Sequence, residues 1–155
     1  MKITELIAQH LIDVHAGNNW TDVDLSGTLK DVTVEEAITV SAASPNTIAA
    51  LLHHITYWNR AMIKRMAGMV VPDTPANGYD VPLISATVEW QRLKEDNLAS
   101  AQELAAAIRA FDESKLYMPI LPGHSTAYKN MQGTVEHVHY HLGQMVIIKK
   151  LLRAM

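Results

Sequence analysis

The sequence predicts an all-α protein, a single four-helix bundle with long crossover connections that spans residues 1–155. Apolar residues recur at helical spacing in four segments of about 14 to 25 residues. No segment shows the alternation of apolar and polar residues that is typical of a β-strand. A length of 155 residues and a hydrophobic content of 48% suit one domain with an ordinary core.

The first helix is predicted over residues 3–16, where apolar side chains recur every three or four residues. A Gly-Asn-Asn sequence follows and favours a helix end. Residues 20–45 form a less regular stretch. Within it, residues 33–37 resemble one or two helical turns, because their two glutamates would stand near the positive N-terminal end of a helix.

The second main helix is predicted to begin near Asn46, directly after a proline, and to end before Gly68. Residues 69–84 hold three of the six prolines and an Asn-Gly pair, so they are predicted to be a connecting loop. The third helix is predicted to start after Ser85, a candidate N-cap, and to reach Phe111.

The last part of the chain is predicted to be a loop followed by the longest helix. Residues 112–130 carry two prolines and a glycine and form the second long connection. The fourth main helix is predicted over residues 131–152. The four predicted helices and their long connections are what a bundle with crossovers requires.

Composition excludes several classes of function. The chain has no cysteine, so it has no disulfide, no thiolate nucleophile and no cysteine-ligated metal centre. Its net charge is −3 without a basic cluster, so nucleic acid is not an expected partner. No run approaches the roughly 18 apolar residues that span a bilayer, and the start of the chain lacks the apolar run of a signal peptide. We therefore expect a cytoplasmic protein without a membrane partner.

The histidines are the most informative residues, and two of the eight lie one helical turn apart. His137 and His141 are separated by four residues, which places them about 40° apart on one helix face. Apolar residues occupy the same face, so both imidazoles should enter the core. They are either two core histidines satisfied by hydrogen bonds or two ligands of one metal ion. His139 should point outward.

A third candidate ligand lies on the second main helix. His54 stands at the edge of that helix's apolar stripe, whereas the adjacent His53 lies on the far side and is expected to be exposed. Three imidazoles that leave positions open for water are typical of a catalytic metal site. We therefore predict that His54, His137 and His141 hold one ion, which should leave as the pH falls through about 6 to 5.

Other polar residues receive weaker interpretations. His10 is expected to be a core histidine or a partner of a ligand rather than a fourth ligand. Gln144 lies one turn beyond His141 and could either orient a ligand or be a core amide. His15 and His124 receive no role. Zincins and α/β-hydrolases fit worse, because their motifs are absent. A di-iron bundle also fits worse, because it needs two Glu-x-x-His motifs and the sequence has one, from Glu136 to His139.

These residues resemble the DinB-like superfamily, named for DNA-damage-inducible bacterial proteins. The family has a histidine followed by an apolar residue in the second helix, as at His54 and Ile55. It also has a His-x-x-x-His-x-Gly-Gln run in the last helix, which matches residues 137–144. The resemblance covers most of the chain and is poorest over residues 112–130.

The resemblance implies a four-helix bundle, often dimeric, with one divalent ion on the three histidines. Nickel or zinc is the expected ion, with manganese and iron as alternatives. As function it implies a metal-dependent thiol S-transferase, with a small hydrolase as a second enzymatic option. The partners would be a small-molecule substrate such as a low-molecular-weight thiol and a second copy of the chain. The alternatives are a bundle that binds metal without catalysis and a purely structural or interaction module.

Overall fold

The computed structural model describes residues 2–154, and it confirms the all-α fold class. Within these residues there are no strands, only isolated bridges that join Ser41 to Ser44 and Pro119 to Thr126. A 3-10 turn covers Glu113–Lys115. The α-helices of this part of the chain are α1 (Ile3–Ala16), α2 (Leu25–Leu29), α3 (Val34–Ile38), α4 (Ile48–Met66), α5 (Thr87–Ala110) and α6 (Ala127–Arg153).

The four long helices α1, α4, α5 and α6 form the bundle. Helix α1 packs against α5 and α6, and α4 packs against the same two helices. Consecutive long helices α1 and α4 are therefore diagonal, and the chain between them crosses one end of the bundle through α2 and α3. This is the long crossover that the sequence predicts.

Helix boundaries follow the capping residues. Helix α1 has the predicted bounds, and α3 lies where short helical turns are expected. Helix α6 begins earlier than predicted, because the Thr126 hydroxyl accepts the backbone N–H of Lys129 at 3.2 Å. Helix α2 was not predicted. It has only five residues, too few to show a period, and is capped by the Asp24 carboxylate on the N–H of Gly27 at 2.7 Å.

A buried polar chain joins α4 to α5 inside the otherwise aliphatic core. The side-chain amide of Asn59 donates to Ser100 Oγ at 3.0 Å. The amide of Asn97 donates to Thr56 Oγ1 at 3.1 Å. These bonds explain the two asparagines that interrupt the apolar stripes of the second and third predicted helices. They satisfy groups that are costly to bury unpaired, and they fix how α4 and α5 lie against each other.

The aromatic residues of α4 and α5 are packed within the chain. Trp90 is 2% exposed, and its indole N–H donates to the carbonyl of Val32 at 2.9 Å, which ties the crossover segment to α5. Tyr57 and Trp58 are half-buried and pack edge to face, with 5.4 Å between ring centroids. Trp90 is therefore enclosed by its own chain, whereas Tyr57 and Trp58 leave part of their rings accessible. Among residues 2–154, no helix combines the length and apolar character that crossing a membrane requires.

Candidate metal centre

The structure brings His54 of α4 together with His137 and His141 of α6. The Nε2 atom of His137 lies 2.9 Å from Nε2 of His54 and 3.0 Å from Nε2 of His141. The three side chains offer nitrogen atoms that all lie within 4.8 Å of one another, and in the part of the chain that the structure describes they form the one such cluster of histidines or acidic residues. His54 and His141 are buried, and His137 is half-buried.

The spacing of these nitrogens suits a small divalent ion. Two imidazole nitrogens that bind one zinc-like ion at about 2.0–2.1 Å lie about 2.8–3.4 Å apart, depending on the coordination angle. The observed separations of 2.9 and 3.0 Å fall inside that range. The ligand nitrogens of the third pair, His54 and His141, lie within 4.8 Å of each other. Three protein ligands leave the remaining coordination positions of an ion open.

Hydrogen bonds determine which ring nitrogen of His54 and of His141 is unprotonated. Nδ1 of His54 lies 2.5 Å from the carbonyl oxygen of Asn77, and Nδ1 of His141 lies 2.7 Å from Oε1 of Gln144. Both partners are oxygen acceptors, so each Nδ1 must carry the proton of its ring. Each Nε2 is then unprotonated and presents its lone pair to the cluster. A neutral His137 can donate one proton to at most one of them. The donor set thus fits a shared cation better than a closed hydrogen-bond network, and bonds of this kind typically orient metal-binding histidines.

Burial keeps the three rings neutral. It is the main cause that lowers the pKa of His54 to about 4 and that of His137 to about 3. Neighbouring histidines contribute to both shifts in the same direction, and the hydrogen bond to Asn77 opposes the shift of His54. Burial also lowers the pKa of His141, although the hydrogen bond to Gln144 opposes it. Neutral imidazole is the form that binds metal. Protons therefore compete with a metal ion for these nitrogens only at a pH below the ordinary histidine pKa. Release of the ion is accordingly expected at a lower pH than the range of 6 to 5 predicted from the sequence.

A tight turn at residues 77–78 positions the His54 ring. Asn77 and Gly78 both have positive φ, of 49° and 77°, and their carbonyl groups face α4. The carbonyl of Gly78 lies 2.7 Å from Nδ1 of His53, and Oδ1 of Asn77 accepts the indole N–H of Trp58 at 3.0 Å. His53 is thus half-buried and holds the turn, whereas the sequence predicted an exposed residue.

The ring of Tyr79 completes the wall behind His54. The two rings are stacked, with centroids 4.1 Å apart and planes 4° from parallel. The sequence predicts a loop over residues 69–84, and its pattern assigns no role to Asn77 or Tyr79. An Asn-Gly pair marks a turn, but no local pattern indicates which helix the turn touches.

The remaining histidines lie elsewhere. His139 is outside the cluster, as predicted, although it is half-buried rather than fully exposed. Its ring packs against that of His10, with centroids 5.6 Å apart. The prediction of a core position for His10 is wrong, since this side chain is exposed. His15, which received no role, is 1% exposed.

Two cavities flank the cluster on different sides. One, of about 310 Å³, contacts His137. The other, of about 350 Å³, contacts His141. The first is lined also by Trp58, Met62, Ser125, Lys129, Asn130, Gly133, Thr134 and Glu136. The second is lined also by Ala43, Ser44, Pro45, Asn46, Tyr79, Tyr140, Gln144, Ile147 and Ile148.

Comparison with known proteins agrees with this arrangement. The sequence matches the DinB superfamily over residues 19–145, a range that contains all three clustered histidines. Comparisons with curated proteins and with solved structures find no match. Since the family match covers most of the chain, this protein belongs to the DinB superfamily.

Proposed function

We propose that this protein binds one divalent metal ion through His54, His137 and His141 and uses it to activate a small nucleophile, either in thiol S-transfer or in a small hydrolysis reaction. The observation that carries the proposal is that the Nε2 atoms of the three histidines converge. Asn77 and Gln144 accept the Nδ1 protons of His54 and His141, which leaves the Nε2 atoms of these two rings unprotonated and able to bind an ion. A bound ion of this kind lowers the pKa of a thiol or water and so supplies a nucleophile near neutral pH. Nickel or zinc suits the imidazole ligands best, with manganese and iron as alternatives.

The cavity beside His137 is the proposed substrate site. Trp58 and Met62 supply an apolar wall that would exclude water from one side of the substrate. Lys129 lies at the same cavity and would attract a negatively charged group. Glu136 is the one carboxylate among the lining residues, and we assign it the proton that the nucleophile loses. These features favour a small substrate with an apolar body and an anionic end, such as a low-molecular-weight thiol.

The first experiment is elemental analysis of the purified protein, followed by a substrate screen. We expect about one divalent ion per chain in the wild type and in His139→Ala, and none in His137→Ala. Thiols should then be tested with small electrophiles, and esters or amides should be tested for hydrolysis. His141→Ala should abolish any turnover found, whereas His139→Ala should keep it.

The alternative function is a bundle that binds metal without catalysis, or one that serves only as an interaction module. Protein that is free of metal after purification and that binds none on addition would favour the interaction module. Bound metal with no turnover on any tested thiol, ester or amide would favour non-catalytic binding. We also propose a homodimer, which rests on the family resemblance alone.

A further inference from the structure

A second pair of histidines lies at the surface, where α1 packs against α6. His10 of α1 is exposed and His139 of α6 is half-buried. Their ring centroids are 5.6 Å apart, and the ring planes are inclined at 60°. His139 is close in sequence to His137 and His141 but points away from both, because two residues turn a helix by about 200°. Neither His10 nor His139 has a role in the function proposed above.

The distance between these two rings suits a metal ion placed between them. An imidazole nitrogen bound at about 2.0–2.1 Å puts the ring centroid about 3.2 Å from the ion. Two such rings have centroids about 4.5 Å apart at a coordination angle of 90° and about 6.4 Å apart at 180°. The 5.6 Å between His10 and His139 falls inside this range. The three rings of the candidate metal centre, with centroids 4.6 to 4.9 Å apart, fall inside it as well.

Open space beside the pair can hold an ion and its remaining ligands. Gly143 lies one turn after His139 on α6, and a Cβ added to it would meet no side chain and no neighbouring element within 4 Å. The Cα–Cβ bonds of a helix tilt toward its N-terminus, so this space opens onto the turn that carries His139. His10 reaches the same region from α1 and is itself exposed.

The charges near the pair favour a cation. The residues one helical turn before and after His10 and His139 include no lysine and no arginine. They include two carboxylates, Asp13 on α1 and Glu136 on α6. A positive ion between the two rings is therefore attracted by its nearest charged neighbours along both helices.

We propose that His10 and His139 form a second metal site, a surface chelate for a divalent transition-metal ion that prefers nitrogen ligands. Copper(II) binds such ligands most tightly among the first-row divalent ions, and the exposed His10 ring is free to approach the 90° angle of its square-planar geometry. Two protein ligands hold an ion less tightly than three, so this site empties on dialysis and leaves the one ion expected of the purified protein. The pair shares no residue with the metal centre, and the proposal does not depend on the function proposed above.

The test is a titration of the zinc-loaded full chain with copper(II) iminodiacetate, followed by EPR spectroscopy. Iminodiacetate occupies three positions of the copper ion and keeps free copper too scarce to displace zinc. We expect one complex per chain, with a spectrum that shows coupling to two imidazole nitrogens. His10→Ala and His139→Ala should each raise the Kd at least about tenfold, because a second ligand held nearby strengthens binding by about 10²–10⁴-fold.

A matched control and a second variant keep the test decisive. His124→Ala removes an exposed loop histidine and should bind the complex as the wild type does. His10→Gln replaces His10→Ala if the alanine variant does not fold, and the same loss is expected. The proposal is overturned if the wild type binds no complex at up to about 1 mM, or if His10→Ala binds it as tightly as the wild type. Binding that is lost in His137→Ala but kept in His10→Ala would place the copper at the buried centre and also overturn it.

Discussion

Removal of the metal ion should lower the melting temperature of this protein by about 5 to 16 °C. A ligand present at 100 to 1,000 times its Kd stabilises the folded state by about 2.7 to 4.1 kcal/mol. In a domain of about 150 to 250 residues, each kcal/mol shifts Tm by about 2 to 4 °C. The chain has 155 residues, and its three ligands come from two helices that the ion would join.

The assay compares thermal unfolding of metal-loaded protein with that of apo protein prepared by chelation and dialysis. His137→Ala should melt at the same temperature in both preparations, because it lacks the ligand that lies between the other two. His139→Ala is the matched control from the same helix, and it should respond to the metal as the wild type does. Equal melting temperatures for loaded and apo wild-type protein would refute the reasoning.

The difference in Tm between loaded and apo protein should also persist in mild acid. In the folded apo site, burial holds the pKa of His54 at about 4 and that of His137 at about 3, so protons compete with the ion only near those values. Ordinary imidazoles would compete from about pH 6.5. We expect a nearly constant difference between about pH 7.5 and 5 and its loss near about pH 4. A difference that disappears by about pH 6 would show that the site histidines titrate normally.

Three further predictions concern the turn, the buried histidine and the oligomer. Gly78→Ala should destabilise the protein by about 1–3 kcal/mol and weaken metal binding, because φ is +77° and the new Cβ would lie 2.7 Å from Cβ of Tyr57. Gly133→Ala, a helical control with no atom within 4 Å of the new Cβ, should be neutral or stabilising. Urea titration of both variants and of the wild type measures the two changes in the free energy of unfolding. The free energy of unfolding should fall by up to about 3 kcal/mol between pH 6.5 and 4 on account of His15, because the unfolded ring takes up a proton near 6.5 and the folded ring only near 4. His15→Phe should show a shallower pH dependence, and an unchanged slope would contradict this. Light scattering should give twice the mass of the chain, and a monomer across a wide range of concentration would exclude the proposed homodimer.

The helical phase made the clustered histidines predictable. His137 and His141 share a face because four residues advance a helix by little more than one turn. His54 was preferred to His53 because it lies nearer the apolar stripe, and the structure places His54 in the cluster. Phase gives the direction of a side chain, and for these three residues that direction was enough.

Helical phase was not sufficient in α1, where two overlapping faces of the helix both carry apolar residues. In α1, helical spacing groups His10 with Ile3, Ile7 and Val14, and of these only Ile7 and Val14 are buried. The buried face is shifted toward Ala8, Leu11 and His15, which leaves Ile3 and His10 exposed. The two stripes differ by a fraction of a turn, and the packing of α1 against α5 and α6 decides between them. The recurrence of Ala8, Leu11 and His15 at helical spacing could have indicated the buried histidine. The contacts of Asn77 have no comparable sequence pattern, since they join residues 23 positions apart in the chain.

The groups that orient the metal centre also determine its charge. The atoms that accept from Nδ1 of His54 and His141 belong to a backbone carbonyl and a side-chain amide, and both are neutral. Many metal-binding histidines donate instead to a carboxylate, which adds a negative charge near the ion. Here the three imidazoles and their two partners are all uncharged, so a divalent ion would keep its full charge toward the open positions. A centre of this kind binds anions preferentially, and it therefore favours the thiolate or hydroxide that the proposed function requires. Gln144 has this role because it stands three residues after His141, which puts its amide oxygen one turn along the helix and within 2.7 Å of the ring.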